Sequence, residues 1–268
     1  MTAGAQAGPT ARAGHLRLAW LLAAAILLVA ATLRLAGLDW DQGGLFHPDE
    51  RRIFAVIAQL RWPTPGNWSL VLSPHSPLNP RFFSYGSLPL YLLRLVQALL
   101  ALPDARLHVA GRYLSVVADL LTLAVVLRLG CRLGVRRAGI LAAAFYAVAV
   151  LPLQLSHYAT VDTLLTLLCT LALYCLVVVA KRGSRRAGLL AGVFSGLALA
   201  TKSSALPLLV VAGIAWTANA LRGPEPPRVG RHLAGLVLTV LAVLVAFFLA
   251  EPYALLDWYH FGAGLFQE

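Results

Sequence analysis

Charge is what this sequence has least of. Of its 268 residues, 22 are Lys or Arg and 11 are Asp or Glu, so only 12% are charged. A soluble domain carries about 25%. With 59% hydrophobic residues and a mean hydropathy of +0.76, the shortage excludes an ordinary water-soluble globule. Cysteine is also scarce: Cys131, Cys169 and Cys175 fall in or beside apolar runs, with neither metal-ligand nor redox spacing, and read as small apolar residues. No strand pattern is present, so no Gly-rich phosphate loop follows a strand and no nucleotide-sugar site is visible. The second half does not repeat the first, which removes the internal symmetry common in transporters.

What remains is a series of long apolar runs separated by short basic clusters. The spans predicted from them are Leu16–Leu38, Val109–Leu129, Ala138–Leu155, Asp162–Ala180, Ala187–Ala200, Ser204–Leu221 and Leu233–Ala250. Leu16–Leu38 has the length to cross a bilayer and too long an apolar core, without a cleavage site, for a signal peptide. Arg34, near its far end, is expected to snorkel to the interface. Residues 1–15 are Ala/Gly-rich and are expected to be a disordered cytoplasmic terminus, with 16–268 forming one transmembrane domain.

Residues 85–102 are apolar and helical but carry Arg94 in the middle, and charge arbitrates their placement. If this helix lies in the interface, Arg12, Arg17 and the basic connections 128–137, 181–186 and 222–231 share one side, which the positive-inside rule makes cytoplasmic. If it crosses, every later basic cluster moves outside. The first arrangement is preferred. It predicts an all-α integral membrane protein with about seven spans plus interfacial helices in a first outer loop, 39–108. The net charge of +11 is then spent on membrane orientation and needs no nucleic acid.

The same arrangement gathers the notable polar residues on the outer face. In LFHPDERRIFAVIAQL, Pro48 suits the first turn of a helix, and Asp49 and Glu50 fall in that turn, where free N–H groups and the helix dipole favour carboxylates. Ile53, Val56, Ile57 and Leu60 form an apolar stripe; Asp49, four residues before Ile53, heads it and is expected to point into the packed side. The bland reading of the same acids is a helix cap. His157 and Asp162 of SHYATVD, Lys202 of LATKSS and Glu251 of AEPY join them. Singly, each has a structural reading: Asp162 as a cap, Lys202 as a snorkelling lysine, His157 as an interfacial hydrogen-bonding residue. Together, acids with a nearby cation suit deprotonation of an acceptor and retention of a phosphate. Carboxylates also suit Mg2+ or Mn2+, so a divalent cation beside Asp49 and Glu50 is compatible with the pair, although no ligand set is spelled out.

The order of these stretches carries a resemblance. The Asp-Glu pair of the outer loop is followed by Asn79–Leu92 (NPRFFSYGSLPLYL), then by GRYLS at Gly111, HYATVD at His157, GLALATK at Gly196 and EPY at Glu251. The set resembles the lipid-linked-sugar-dependent glycosyltransferases of the protein O-mannosyltransferase and aminoarabinose transferase superfamily, which have the GT-C membrane fold. It covers roughly residues 16–260. Members usually carry further spans, so the chain resembles the N-terminal catalytic portion of a longer protein.

The resemblance implies a polyprenyl-phosphate sugar as donor. It matches Asp49 to the family's outer-loop acid, taken as base or acceptor-orienting group, with Glu50 beside it. Asp162 matches the acid of the YxTxD loop, and Lys202 a lysine near the donor phosphate. The KPPL-type segment of the aminoarabinose branch appears here as YGSLPL, so its lysine has no counterpart, and Arg81 is the nearby candidate to replace it. Transfer to an unidentified protein, lipid or glycan acceptor on the extracytoplasmic face of a cell membrane, with inversion, is the expectation. Asp49, Glu50 and Asp162 would be catalytic; Lys202, His157 and Arg81 would hold phosphate. A lipid-linked-sugar flippase and a non-catalytic subunit of a glycosylation complex are the alternatives. Asp119, mid-span, is expected to be structural, hydrogen-bonded to a Ser, Thr or Tyr.

Overall fold

A computed structural model describes residues 9–222 and 229–265. Residues 1–8 and 223–228, the latter within the third basic connection, lie outside the described residues. The described chain is helical and has no strand: α1 (Pro9–Leu35), α2 (Pro48–Ile57), α3 (Ser87–Leu99), α4 (Leu107–Leu133), α5 (Arg136–Val148), α6 (Val150–Ser156), α7 (Asp162–Arg182), α8 (Arg185–Leu199), α9 (Pro207–Leu221), α10 (Val229–Ala250), α11 (Tyr253–Leu256) and α12 (Trp258–Leu265). Residues 9–15, expected to lack structure, form the first turns of α1.

Among the described residues, five helical stretches are long and apolar enough to cross a membrane: 17–35, 104–133, 162–182, 203–221 and 229–250. The fold is therefore that of a multi-pass membrane protein. The predicted span 138–155 is a bent pair, α5 and α6, which meet at 57°. Pro152 explains the break. It has no N–H for the carbonyl of Val148 and its ring crowds that carbonyl, so the helix ends there and Ala149 turns extended (ψ 130°). The predicted span 187–200 is α8, only 15 residues and so about 22 Å long. It nonetheless reverses the whole course of α7. Asp162 opens α7 and Lys202 lies just past α8, and the two side chains meet at 3.4 Å.

Small residues let α8 run close to α10. A Cβ added to Gly192 would fall 2.3 Å from the carbonyl oxygen of Thr239, and one on Gly196 2.4 Å from that of Val243. In a bilayer, where apolar surface gains little from leaving lipid, such close backbone packing is a principal source of helix association. Trp216 ties α9 to the same pair by donating its indole N–H to Thr239 Oγ1 at 3.1 Å. Away from these seams, Leu21 and Leu28 on α1, Val210 and Ile214 on α9 and Leu241 and Leu249 on α10 are exposed, as a lipid-facing surface requires.

α3 has 13 residues, about 20 Å, too short to cross a hydrocarbon core of about 30 Å. It packs on α2 and α4, and Ile53, Ile57, Leu60, Leu90, Leu93, Leu107 and Val161 form one core cluster that joins these helices to the start of α7.

Arg34 corrects an expectation. Instead of snorkelling it is fully buried and bonds Asp119 of α4 through its Nε, while Nη1 donates to the carbonyl of Ala147 at 2.8 Å. The Pro152 break makes this possible, because the last carbonyls of α5 have no helical partner and face Arg34. Asp119 also accepts from the Tyr146 hydroxyl at 2.6 Å, the structural bond expected for it. Arg34→Leu or Asp119→Asn alone leaves a buried charge unpaired and is expected to cost about 3–5 kcal/mol of stability. Replacing both with leucine is expected to recover most of the loss, read as unfolding temperature in detergent.

Candidate functional site at one end of the bundle

α2 begins where Pro48 takes the first helical position and His47 caps it, its Nδ1 accepting from the N–H of Asp49 at 3.2 Å. Which acid enters the packed side is settled against the expectation. Glu50, three residues before Ile53, is fully buried, whereas the Asp49 side chain keeps 34% exposure. The periodicity allows either; the partners decide. Arg112 of α4 donates from Nε to Glu50 Oε1 at 2.9 Å and from Nη2 to Oε2 at 3.0 Å. The N–H of Ala159 adds a bond to Oε1 at 2.8 Å.

The same guanidinium grips Asp41 with two bonds of 2.7 Å and donates to the carbonyl of Leu38 at 3.0 Å. One cation therefore fastens the end of the first span, the start of α2 and α4. Hydrogen bonds from Arg112 hold the Asp41 carboxyl well below the usual range, against the opposing effect of burial. Its contribution to stability is present above the ordinary aspartate pKa and is lost only as pH falls below that range.

The HYATVD loop is bound to this hub. Ala159 reaches Glu50, and the Tyr158 ring lies 4.6 Å from that of His47. Three residues on, Asp162 opens α7 with its side chain 30% exposed, and Lys202 Nζ stands 3.4 Å from its Oδ1. The ammonium also sits 5.4 Å from the centre of the Tyr85 ring. Hence Glu50, the HYATVD loop 109 residues further on and Lys202, another 40 residues beyond Asp162, occupy connected positions at one end of the bundle.

Two predicted phosphate ligands are placed differently. His157 has Nδ1 facing the carbonyl of Leu153 at 2.9 Å and Nε2 that of Ala36 at 3.0 Å, so its ring ties α6 to the end of α1. Arg81 is exposed and has a left-handed backbone (φ +48°), steadied by the Asn79 side chain, which accepts its N–H at 3.0 Å. The Asp49–Glu50 pair fits a divalent cation poorly, since Glu50 is committed to Arg112 and Ala159.

Sequence reasoning missed Arg112 and Asp41. An arginine in the first turns of a span was available as a signal, because such a charge needs a carboxylate, and the preceding loop holds several. Glu251, just past α10, is buried and accepts both groups of Ser87, the hydroxyl to Oε1 at 2.6 Å and the N–H to Oε2. Burial pushes its carboxyl up to about 7, against these bonds.

A multi-pass helical bundle with an acid- and lysine-lined end defines a class of membrane protein. Residues 87–255 match the family of dolichyl-phosphate-mannose-protein mannosyltransferases, and the chain belongs to that family. The match covers α3 to α11, including Asp162 and Lys202, but starts after α2. No curated protein matches the chain. Among solved structures, the fold is similar to that of the S. cerevisiae protein O-mannosyltransferase Pmt1-Pmt2 complex bound to the sugar donor. The TM-score is 0.64 at 16% sequence identity, over 92% of this chain and 34% of that one. At this identity the likeness is one of fold, and the chain spans about a third of that relative's length.

Proposed function

We propose that the protein transfers a sugar from a polyprenyl-phosphate donor to an acceptor at the extracytoplasmic face of a cell membrane. The observation that carries the reading is the pairing of Lys202 with Asp162 beside the Glu50–Arg112 hub. It brings a partly exposed cation and a partly exposed acid together, an arrangement that suits a lipid phosphate and a sugar. Family membership supports the same class of chemistry.

In this mechanism the acceptor's oxygen or nitrogen attacks the anomeric carbon opposite the phosphate, giving inversion. Its proton passes to the Asp49 carboxylate as the new bond forms. The bond from the anomeric carbon to the phosphate oxygen breaks, and the electron pair leaves with the phosphate. Lys202 stabilises the charge that develops there, drawing away from Asp162. Asp162 orients the reacting groups, and Glu50 acts through the Arg112 hub that fixes α2 against the HYATVD loop. His157 acts through the loop it anchors, and Arg81 is a second cation available from the outer loop.

Lys202→Met is expected to raise the KM for a polyprenyl-phosphate sugar and to lower kcat/KM by about 10²-fold or more. Labelled-sugar transfer in membranes checks this. An unchanged donor KM would remove Lys202 from phosphate binding. Labelled donor crossing the bilayer without transfer would favour a flippase.

A further inference from the structure

The ends of three helices meet at a buried junction one residue from each side of the proposed phosphate site. The last carbonyls of an α-helix have no partner within it. Past α8, the carbonyl of Ala200 accepts the N–H of Leu88 at 3.1 Å and that of Thr201 accepts the N–H of Gly86 at 3.0 Å. Between these two donors lies the N–H of Ser87, and it goes to Glu251, as does the Ser87 hydroxyl. Three consecutive donors at the start of α3 are thus divided between the end of α8 and the residue that follows α10.

The junction admits no slack. Ser87, Ala200 and Thr201 are fully buried and Glu251 is 1% exposed. A Cβ on Gly86 would fall 1.9 Å from the carbonyl oxygen of Ala200, so only glycine allows the two backbones to approach this far. Tyr85 immediately precedes the junction on one strand and Lys202 immediately follows it on the other. Those two residues face each other outside it, and Lys202 reaches Asp162.

We propose that Glu251 is a positioning residue for donor binding: by bridging both groups of Ser87 it locks α3 onto Ala200–Thr201 and so sets Lys202 between Tyr85 and Asp162. This rests on the reading of Lys202 as the donor-phosphate cation. The bridge requires an acceptor for the Ser87 N–H and a partner for its hydroxyl, not a negative charge. A glutamine supplies both, its carbonyl accepting the N–H and its amide donating to the hydroxyl. An alanine supplies neither and strands a buried donor.

The test compares wild type, Glu251→Ala, Glu251→Gln and Lys202→Met in the full protein. It reads the KM for a polyprenyl-phosphate sugar, kcat, and hydrogen exchange of the amides of residues 86–88 and 201–202. Glu251→Ala is expected to raise the donor KM about tenfold and to speed exchange at both segments, because a small displacement of a binding group is felt strongly. Glu251→Gln is expected to stay within about twofold of wild type in both readouts, since it keeps the bridge. If Glu251→Ala does not accumulate, Glu251→Asp, one methylene short of Ser87, is read in its place. A raised KM in Lys202→Met with KM and exchange unchanged in Glu251→Ala would overturn the positioning role alone. An unchanged KM in Lys202→Met would overturn the phosphate reading, and the donor-binding role of Glu251 with it. Equal losses in Glu251→Gln and Glu251→Ala would show that the charge matters and not the bridge, which also contradicts the proposal.

Discussion

Asp49→Asn is expected to lower kcat by about 10²- to 10⁴-fold while the protein still inserts and folds, because it removes the proposed general base and little else. The structure gives the physical grounds for separating the two effects. The Asp49 side chain is 34% exposed and stands 3.9 Å from His47 Nδ1, and its contribution to the cap of α2 is its backbone N–H, which asparagine retains. Its ion-pair neighbour His47 is itself partly exposed, at 26%. Its neighbour Glu50 does not permit the same experiment, since that carboxylate is fully buried and neutralises Arg112. A loss of transfer in Glu50→Gln would report on folding and chemistry together; a loss in Asp49→Asn reports on chemistry. Detergent-solubilised yield and unfolding temperature, measured beside transfer, check that division.

Arg112→Met is expected to be the most damaging substitution in both respects. It leaves Glu50 and Asp41, whose side chains have no exposure, without their shared cation. Truncating one member of such a buried set costs about 3–5 kcal/mol, enough to unfold many proteins. The loss should appear as reduced accumulation and as transfer below detection. Arg112→Lys tests whether charge alone suffices. A lysine places one point charge where a planar fork serves two carboxylates and a carbonyl, so partial folding with little transfer is expected. Recovery of full activity by lysine would mean that the fork geometry is not what aligns α2 with the HYATVD loop.

Much of this organisation is legible in the sequence, and the misses share a cause. Apolar run length located five of the seven predicted spans as long apolar helices, with 138–155 a bent pair and 187–200 a shorter helix, and the chain order of short motifs pointed to the family that the match over 87–255 establishes. Pro48, followed by two acids and an apolar stripe, marked α2 correctly. What periodicity could not say was which acid turns inward, because Asp49 and Glu50 lie four and three residues before Ile53 and both spacings put a side chain on its face. Only the position of Arg112, supplied by another helix, selects Glu50. Arg34 was misread for the same reason. A span-end arginine snorkels unless a carboxylate waits inside, and Asp119 lies 85 residues away. The bend at Ala149 was written in Pro152 and could have been read, whereas the use Arg34 makes of the freed carbonyls could not. Likewise sequence alone does not show that the carbonyls of Leu153 and Ala36 face both nitrogens of His157.

The proposed reaction at this end of the bundle moves a sugar from a lipid phosphate with Asp49 as base. The most direct measurement is transfer of labelled sugar from a panel of polyprenyl-phosphate sugars in membranes holding wild type or Asp49→Asn at equal levels. Transfer by wild type, with inverted anomeric configuration in the product, and its loss in Asp49→Asn are expected. Transfer at the wild-type rate by Asp49→Asn would contradict it.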